Sequence, residues 1–211
     1  MPHHLTIDAQ NNVWVTDVAL HQVFKFPPYG GPGKTKTPLI RLGEKVINDL
    51  KMIWKKNQRI KLKFNFDIIH KIFYVLQFVP GNDNLHYCKP TSIAVSNDGK
   101  TFFVADGYCN HRIIKYSVEI NNLGYNNVTL KKLMSWGKVN KHNTLMQLSP
   151  YMLNVPHALA MAHDKNLICV ADRENGRVLC YNMDGKIVRV MQPPEFGSTI
   201  YSVAYCDKKG T

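Results

Sequence analysis

PHALAMAHDKNLICVADRENGRVLCYN, residues 156–182, decides the fold. It opens on a proline. Leu159 and Met161 then alternate with small residues, and a polar turn follows. A second apolar run ends at Asp172, and a short turn leads into RVLCY. Period-two alternation between Asn, Asp and Gly turns is the pattern of antiparallel strands. The same unit occurs twice more. PHHLTIDAQNNVWVTDVALHQVFKF starts at Pro2, and PTSIAVSNDGKTFFVADGYCNHRIIKYS starts at Pro90. Each has a first strand (Leu5, Ile7; Ile93, Val95), a second strand ending in aspartate (Asp17, Asp106), and a third (QVFKF, RIIKY). The proline-to-aspartate spacing is 15 residues in the first unit and 16 in the others, so the register is held. A three- or four-stranded unit that recurs in this way is a propeller blade, and the chain reads as all-β. A fourth unit is expected to begin near STIYSVAY, residues 198–205.

The units are unevenly spaced. Pro90 to Pro156 is 66 residues and Pro2 to Pro90 is 88. The excess lies in 46–79, VINDLKMIWKKNQRIKLKFNFDIIHKIFYVLQFV, which has neither glycine nor proline. It holds seven Lys/Arg against two Asp, so it supplies about five of the formal net charge of +12. We read it as an insertion between blades. Its apolar end is too short and too polar to span a membrane. A strongly basic chain raises the question of nucleic acid. Here much of the charge sits in the insertion, and no Lys/Arg-aromatic stacking motif accompanies it. A solvated basic surface is the reading, with no nucleic-acid partner and no transmembrane segment in this chain. At 211 residues and 45% hydrophobic content, one globular domain accounts for the rest.

Five cysteines bear on the compartment: Cys88, Cys109, Cys169, Cys180 and Cys206. Cys88 stands just before the first strand of its unit and Cys109 just after the second, so the fold can bring them together. Cys169 and Cys180 lie on adjacent strands of one hairpin, within reach of disulfide geometry. A bridge of this kind contributes about 3 kcal/mol. There is no C-x-x-C pair for a zinc finger. Asn127-Val128-Thr129 is a glycosylation sequon. These features favour an oxidising compartment. Cys206 is left over and reads as a buried thiol.

PHHLTID…VWVTDVALHQVFK, HYCKPTSIAVS…FVADGYCNHRI, WGK, VPHALA and CVADRENGRVLCY, in this order, resemble the lyase domain of the peptidylglycine α-amidating enzymes. The resemblance covers about 1–45 and 80–205, and omits the insertion. It implies a six-bladed propeller of the NHL type, of which three to four blades are present. It also implies residence in the secretory pathway, a zinc ion, a structural calcium, and the disulfides Cys88–Cys109 and Cys169–Cys180. The implied reaction splits a peptide ending in α-hydroxyglycine into an amidated peptide and glyoxylate. A monooxygenase domain is linked in some members.

His3 and His157 head the first and third units, and Thr91 holds that place in the second. Alternate blades of a six-membered ring are related by about 120°. Histidines at the inner start of blades one, three and five therefore converge on the axis. Three neutral imidazoles with an open fourth position make a catalytic zinc site. A lone histidine is ordinarily a turn or core residue; two at matched repeat positions are read as ligands. The third is expected beyond Thr211. His4 is expected to point to the opposite face. His21, His86, His111 and His163 read as turn or core residues. By resemblance, Tyr108 takes the substrate hydroxyl proton and Arg173 binds a carboxylate or developing negative charge. A phenol with its ordinary pKa near 10 is a poor base, so zinc and a guanidinium nearby would have to favour the phenolate. Arg177 recurs at the position of Arg112, which argues for a structural role in both. The family's calcium touches the carbonyl matching Leu5 and an acid in a later part of the fold. Another family arginine is expected before Met1. From these departures we expect weak zinc affinity and little lyase activity from the 211 residues alone. The competing reading is a non-enzymatic NHL-like platform for protein or RNA.

Overall fold

The computed structural model describes residues 1–28, 37–43, 80–83, 86–120, 128–139 and 149–206. The insertion at 46–79 and Asn127 lie outside the described residues. Three four-stranded antiparallel sheets account for the repeat. The first is β1 (Pro2–Ile7), β2 (Val13–Asp17), β3 (Gln22–Phe26) and β4 (Ile40–Leu42). The second is β5 (Ser92–Val95), β6 (Thr101–Asp106), β7 (Arg112–Ile120) and β8 (Val128–Trp136). A short parallel pair, β9 (Lys138–Val139) and β10 (Met152–Leu153), follows it. The third is β11 (Pro156–Ala162), β12 (Leu167–Asp172), β13 (Arg177–Asn182) and β14 (Ile187–Met191). Strands run in sequence order across each sheet, and the first strands β1, β5 and β11 lie side by side. Each unit is thus a propeller blade, with the outermost strands β4, β8 and β14 added to the three read from sequence. Thr199–Cys206, expected to open a fourth blade, carries no strand.

The middle blade shows why its second strand is apolar at every step. Phe102 and Val104 of β6 face the first blade, where Trp14, Val23 and Ile40 meet them. Phe103 and Ala105 face the third blade, against Leu159, Ile168, Val170 and Leu179. A sheet buried on both faces has no polar alternation to show. The core is therefore two layers between three sheets.

At the end of each second strand sits a buried aspartate. Asp106 accepts from the Cys88 N–H, the Asn110 amide and Arg112 Nε at 2.7–2.9 Å. Asp172 accepts in the same way from the Asn154 N–H, the Asn175 amide and Arg177 Nε at 2.7–2.8 Å. The arginines donate onward to backbone carbonyls, Arg112 to Asn82 and His86 and Arg177 to Ser149 and Met152. Each pair staples the loop entering a blade to the turn inside it. Arg112 and Arg177 are structural, as their recurrence suggests.

The turn after each aspartate contains one residue in the left-handed region: His21, His111 and Gly176. For a side chain this conformation is unfavourable. The two histidines offset it by bonding across the blade junction. His21 Nδ1 accepts the Lys89 N–H at 3.0 Å, and His111 Nδ1 accepts the Val155 N–H at 3.2 Å. Burial pushes both imidazoles below their ordinary value. Lys89 adds to this at His21 and Asp17 opposes it; at His111 the Asp172 and Asp106 carboxylates and the Leu153 backbone oppose it. An accepting Nδ1 must be unprotonated. Because the folded value is depressed, the unfolded chain binds more protons below about pH 6.5, and stability falls as pH drops through that range. Thermal melts at about pH 7.5 and about pH 5.5 should show this fall. His111→Asn, with an acceptor that does not titrate, should show a shallower one; an equal fall would remove His111 from the account.

Candidate active site

The site residues come from the ends of strands that face the propeller axis. Strand β1 carries a bulge between Pro2 and His4, and β11 carries one between Pro156 and Ala158. His3 and His157 are the extra residues. A bulge re-aims a side chain that regular alternation would send elsewhere. The equivalent pairing of Pro2 with Asp17 and Pro156 with Asp172 shows that the two bulges match. The bulge interrupts alternation just before His4, whose N–H donates to Thr16 Oγ1 at 3.2 Å. Among the described residues its Nδ1 is buried without a hydrogen-bond partner. Burial first, then the neighbouring His3 and His157, holds His4 below the ordinary imidazole value.

Each re-aimed histidine is fixed by a backbone carbonyl. His3 Nδ1 donates to Thr91 O at 2.9 Å, and His157 Nδ1 donates to Tyr201 O at 2.7 Å. A carbonyl only accepts, so Nδ1 carries the hydrogen, and in the neutral ring Nε2 then keeps its lone pair. The rings meet edge-on with centroids 4.9 Å apart. Both Nε2 atoms reach one phenol oxygen: Tyr108 Oη is 3.1 Å from that of His3 and 3.4 Å from that of His157. One O–H can donate to one of them at a time, so one lone pair is always left over.

Tyr108 is held between the blades by what surrounds it. The preceding Gly107 is buried, and a β-carbon there would lie 2.3 Å from Pro156 O and within 3 Å of the Thr91 side chain, so no larger residue fits. Thr91 itself donates through Oγ1 to Pro156 O at 2.7 Å. The following Cys109 is bonded to Cys88, with a Cα–Cα distance of 5.5 Å. The second disulfide, Cys169–Cys180, joins directly opposed residues of β12 and β13 at a Cα–Cα distance of 4.0 Å. Cys206 is free and exposed, not buried as its leftover status suggested. A thiol assay in denaturant should therefore find one thiol per chain, against five in a chain without bridges.

Arg173 follows Asp172 directly, in the turn that matches the one in which Tyr108 follows Asp106 by two residues. Its Nη1 is 3.5 Å from Tyr108 Oη. Its guanidinium lies over two rings, 5.3 Å from the centre of Tyr108 and 5.4 Å from that of Tyr201. Nε is bonded to Glu174 at 2.6 Å. His157 is pushed below its ordinary value by burial first, and further by His3 and Arg173; its bond to Tyr201 O and Glu174 oppose this. A neutral imidazole next to a fixed cation is the state that can bind a metal or accept a proton. The structure thus brings together His3 of the first blade, Tyr108 of the second, and His157 and Arg173 of the third.

Sequence reasoning missed Tyr201. It acts partly through its backbone, which carries no sequence signal, and it lies where a fourth blade is expected to begin and no strand forms. Leu5 is an exposed strand residue opposite Val15. Among the described residues no three His, Cys, Asp or Glu side chains form a metal-sized cluster.

Segments 87–116 and 153–181 match the NHL repeat family. Similar folds include a β-propeller domain from Myceliophteria thermophila, TM-score 0.53 at 10% identity, covering 92% of this chain and 44% of that one. A gluconolactonase from Xanthomonas campestris gives a TM-score of 0.51 at 12% identity, covering 95% and 49%. At such identities these show the propeller fold and nothing finer. Sequence relatives go further. Peptidyl-glycine alpha-amidating monooxygenase A of Xenopus laevis is 37% identical over 97% of this chain and 17% of its own length. Peptidyl-alpha-hydroxyglycine alpha-amidating lyases 1 and 2 of Drosophila melanogaster are 36% and 34% identical over 100% and 97% of this chain. The chain is a homologue of the amidating lyases. It spans 30% and 38% of the two fly lyases, so it corresponds to part of such a protein. The names of these relatives favour the lyase reading over the non-enzymatic platform weighed above. Among the described residues no helix is long and apolar enough to cross a membrane.

Proposed function

We propose that this chain carries part of the active site of a zinc-dependent lyase. The enzyme would convert a peptide ending in α-hydroxyglycine into a C-terminally amidated peptide and glyoxylate. The observation that carries this is the meeting of two Nε2 lone pairs on Tyr108 Oη, with Arg173 beside it.

The residues fit a zinc ion. His3 and His157 would hold it through Nε2, each with Nδ1 tied to a carbonyl, the usual support for a metal-bound imidazole. The lone pair that Tyr108 cannot satisfy is a place for a cation. When bound, zinc supplies Lewis acidity to a hydroxyl brought beside it. We put its third protein ligand outside the described residues. A structural calcium at the Leu5 carbonyl has no acidic cluster to support it among these residues, and no step depends on it.

Tyr108, as phenolate, takes the α-hydroxyl proton. The O–H electrons form the aldehyde C=O of glyoxylate, and the C–N bond breaks. The pair on nitrogen accepts a proton back from Tyr108, giving the primary amide. Arg173 donates toward Tyr108 Oη through Nη1 and would bind the glyoxylate carboxylate with its remaining donors. Atoms balance with no external oxidant. The hydroxylated substrate must come from an oxygen-inserting reaction, supplied by a monooxygenase that is linked or separate. Two disulfides support work in the secretory pathway.

Zinc competition and glyoxylate release test this together. The natural full-length protein should bind zinc tightly and release glyoxylate. The 211 residues alone, with two histidine ligands, should bind zinc weakly and turn over slowly. His157→Ala in the full protein should abolish tight binding. Undiminished zinc affinity in that variant would sink the ligand assignment.

A further inference from the structure

We propose that Tyr201 is a positioning residue for Arg173 and, through it, for the substrate carboxylate. The inference rests on the lyase reading above. Arg173 faces a competition. Glu174 is its chain neighbour and bonds Nε at 2.6 Å, on a side chain that is itself solvent-accessible. Left to that partner alone, a long flexible side chain would follow the carboxylate out toward water. What holds the guanidinium inward is the pair of rings, Tyr108 and Tyr201, with centres 5.3 and 5.4 Å from it. Cations over aromatic faces are attracted by the ring quadrupole, and arginine stacks there best. Held by both rings, the guanidinium has Nη1 3.5 Å from Tyr108 Oη.

Tyr201 is able to do this because its segment is tied down. Ile200 N donates to Arg173 O at 3.1 Å, so the backbones of the two residues are bonded one position apart. Ile200, Val203 and Phe196 pack against the Cys169–Cys180 bridge and Val178. The Tyr201 carbonyl takes the His157 Nδ1 proton, and its ring lies edge-on to His157 at 5.7 Å. One residue therefore touches both the histidine and the arginine of the site, while Tyr201 as a whole is 59% exposed. Removing the ring leaves the carbonyl in place. The histidine contact is a backbone property, and the arginine contact is a side-chain property, so the two separate cleanly in a variant.

The test is a double-mutant cycle in the zinc-loaded natural protein, with Tyr201→Ala, Tyr201→Phe, Arg173→Ala and the Tyr201→Ala/Arg173→Ala pair. Two readouts are needed: KM and kcat for glyoxylate release, and calorimetric affinity for a peptide ending in an unhydroxylated glycine carboxylate. Tyr201→Ala should weaken carboxylate binding and raise KM by about tenfold, with zinc affinity unchanged. Tyr201→Phe should restore both to within about twofold, since the ring face suffices. On the Arg173→Ala background, Tyr201→Ala should change nothing further. Additive losses, or failure of Phe to rescue, would overturn the proposal. Coupling seen in carboxylate binding without any glyoxylate release would leave Tyr201's role standing and sink the lyase reading. Glyoxylate release with no coupling would do the reverse.

Discussion

Tyr108→Phe in the zinc-loaded natural protein should cut kcat for glyoxylate release by about 10²- to 10⁴-fold, the usual contribution of a positioned acid–base group. The substitution removes one oxygen. That oxygen is the atom both histidines and Arg173 approach, at 3.1, 3.4 and 3.5 Å. The ring stays, and with it the aromatic face over which Arg173 lies. Carboxylate binding, and so KM, should therefore change little. Zinc affinity should hold as well, because His3 and His157 keep their carbonyl partners on Thr91 and Tyr201. A loss confined to kcat is what distinguishes a proton-transfer group from a structural one. Folding gives no escape: Tyr108 is not fully buried, and the disulfide at Cys109 is untouched. Near-normal turnover in the phenylalanine variant would remove Tyr108 from the mechanism. A loss that appears in KM instead would reassign it to binding.

Much of this site can be read from repeat register, and the reason is geometric. Equivalent positions in a propeller lie on one ring, so His3 and His157 announce their proximity without any contact being known. Tyr108 and Arg173 follow the same logic, each just past the aspartate that closes a second strand. What register does not carry is anything that departs from it. The bulges at His3 and His157 break alternation, and no sequence motif marks them. Strands β4, β8 and β14 went unread because their sequences share no motif with one another and face solvent at many positions. Tyr201 went unread because the chain returns to Arg173 without a strand. His21 and His111 were visible as an aligned pair, but glycine fills their place in the third unit, and a residue exchangeable with glycine reads as a turn. The structure gives them a junction bond that glycine lacks.

Arg177→Ala should cost about 3–5 kcal/mol of stability, the range for breaking a buried ion pair from one side. The pair is closed to water: Arg177 is 2% exposed and Asp172 is 0% exposed. Burial already pushes the Asp172 carboxyl above its ordinary value despite the arginine. Without Arg177, the carboxylate keeps the Asn154 N–H and the Asn175 amide, while the Ser149 and Met152 carbonyls lose a donor. Protonation of Asp172 then becomes the cheaper outcome. A carboxyl whose folded pKa is raised penalises folding above that pKa and less below it, so the deficit should narrow as pH falls. Urea unfolding at neutral and acidic pH would show this as a midpoint shift that shrinks with acid at constant slope. The first blade supplies an internal comparison. Gln22 stands where the others have arginine, and its partner Asp17 is bound instead by the Ala19 and Leu20 N–H groups at 2.9 Å. Arg177→Gln should therefore cost less than Arg177→Ala but not nothing, because the turn after Asp172 donates no such backbone pair among the described residues. Arg177→Lys should fall short of the native chain too, since one ammonium cannot reach a carboxylate and two carbonyls in the planar fork that arginine offers. If alanine, glutamine and lysine all melted with the native protein, the staple would be ornamental, and the repeated Asp–Arg pairs would need another explanation.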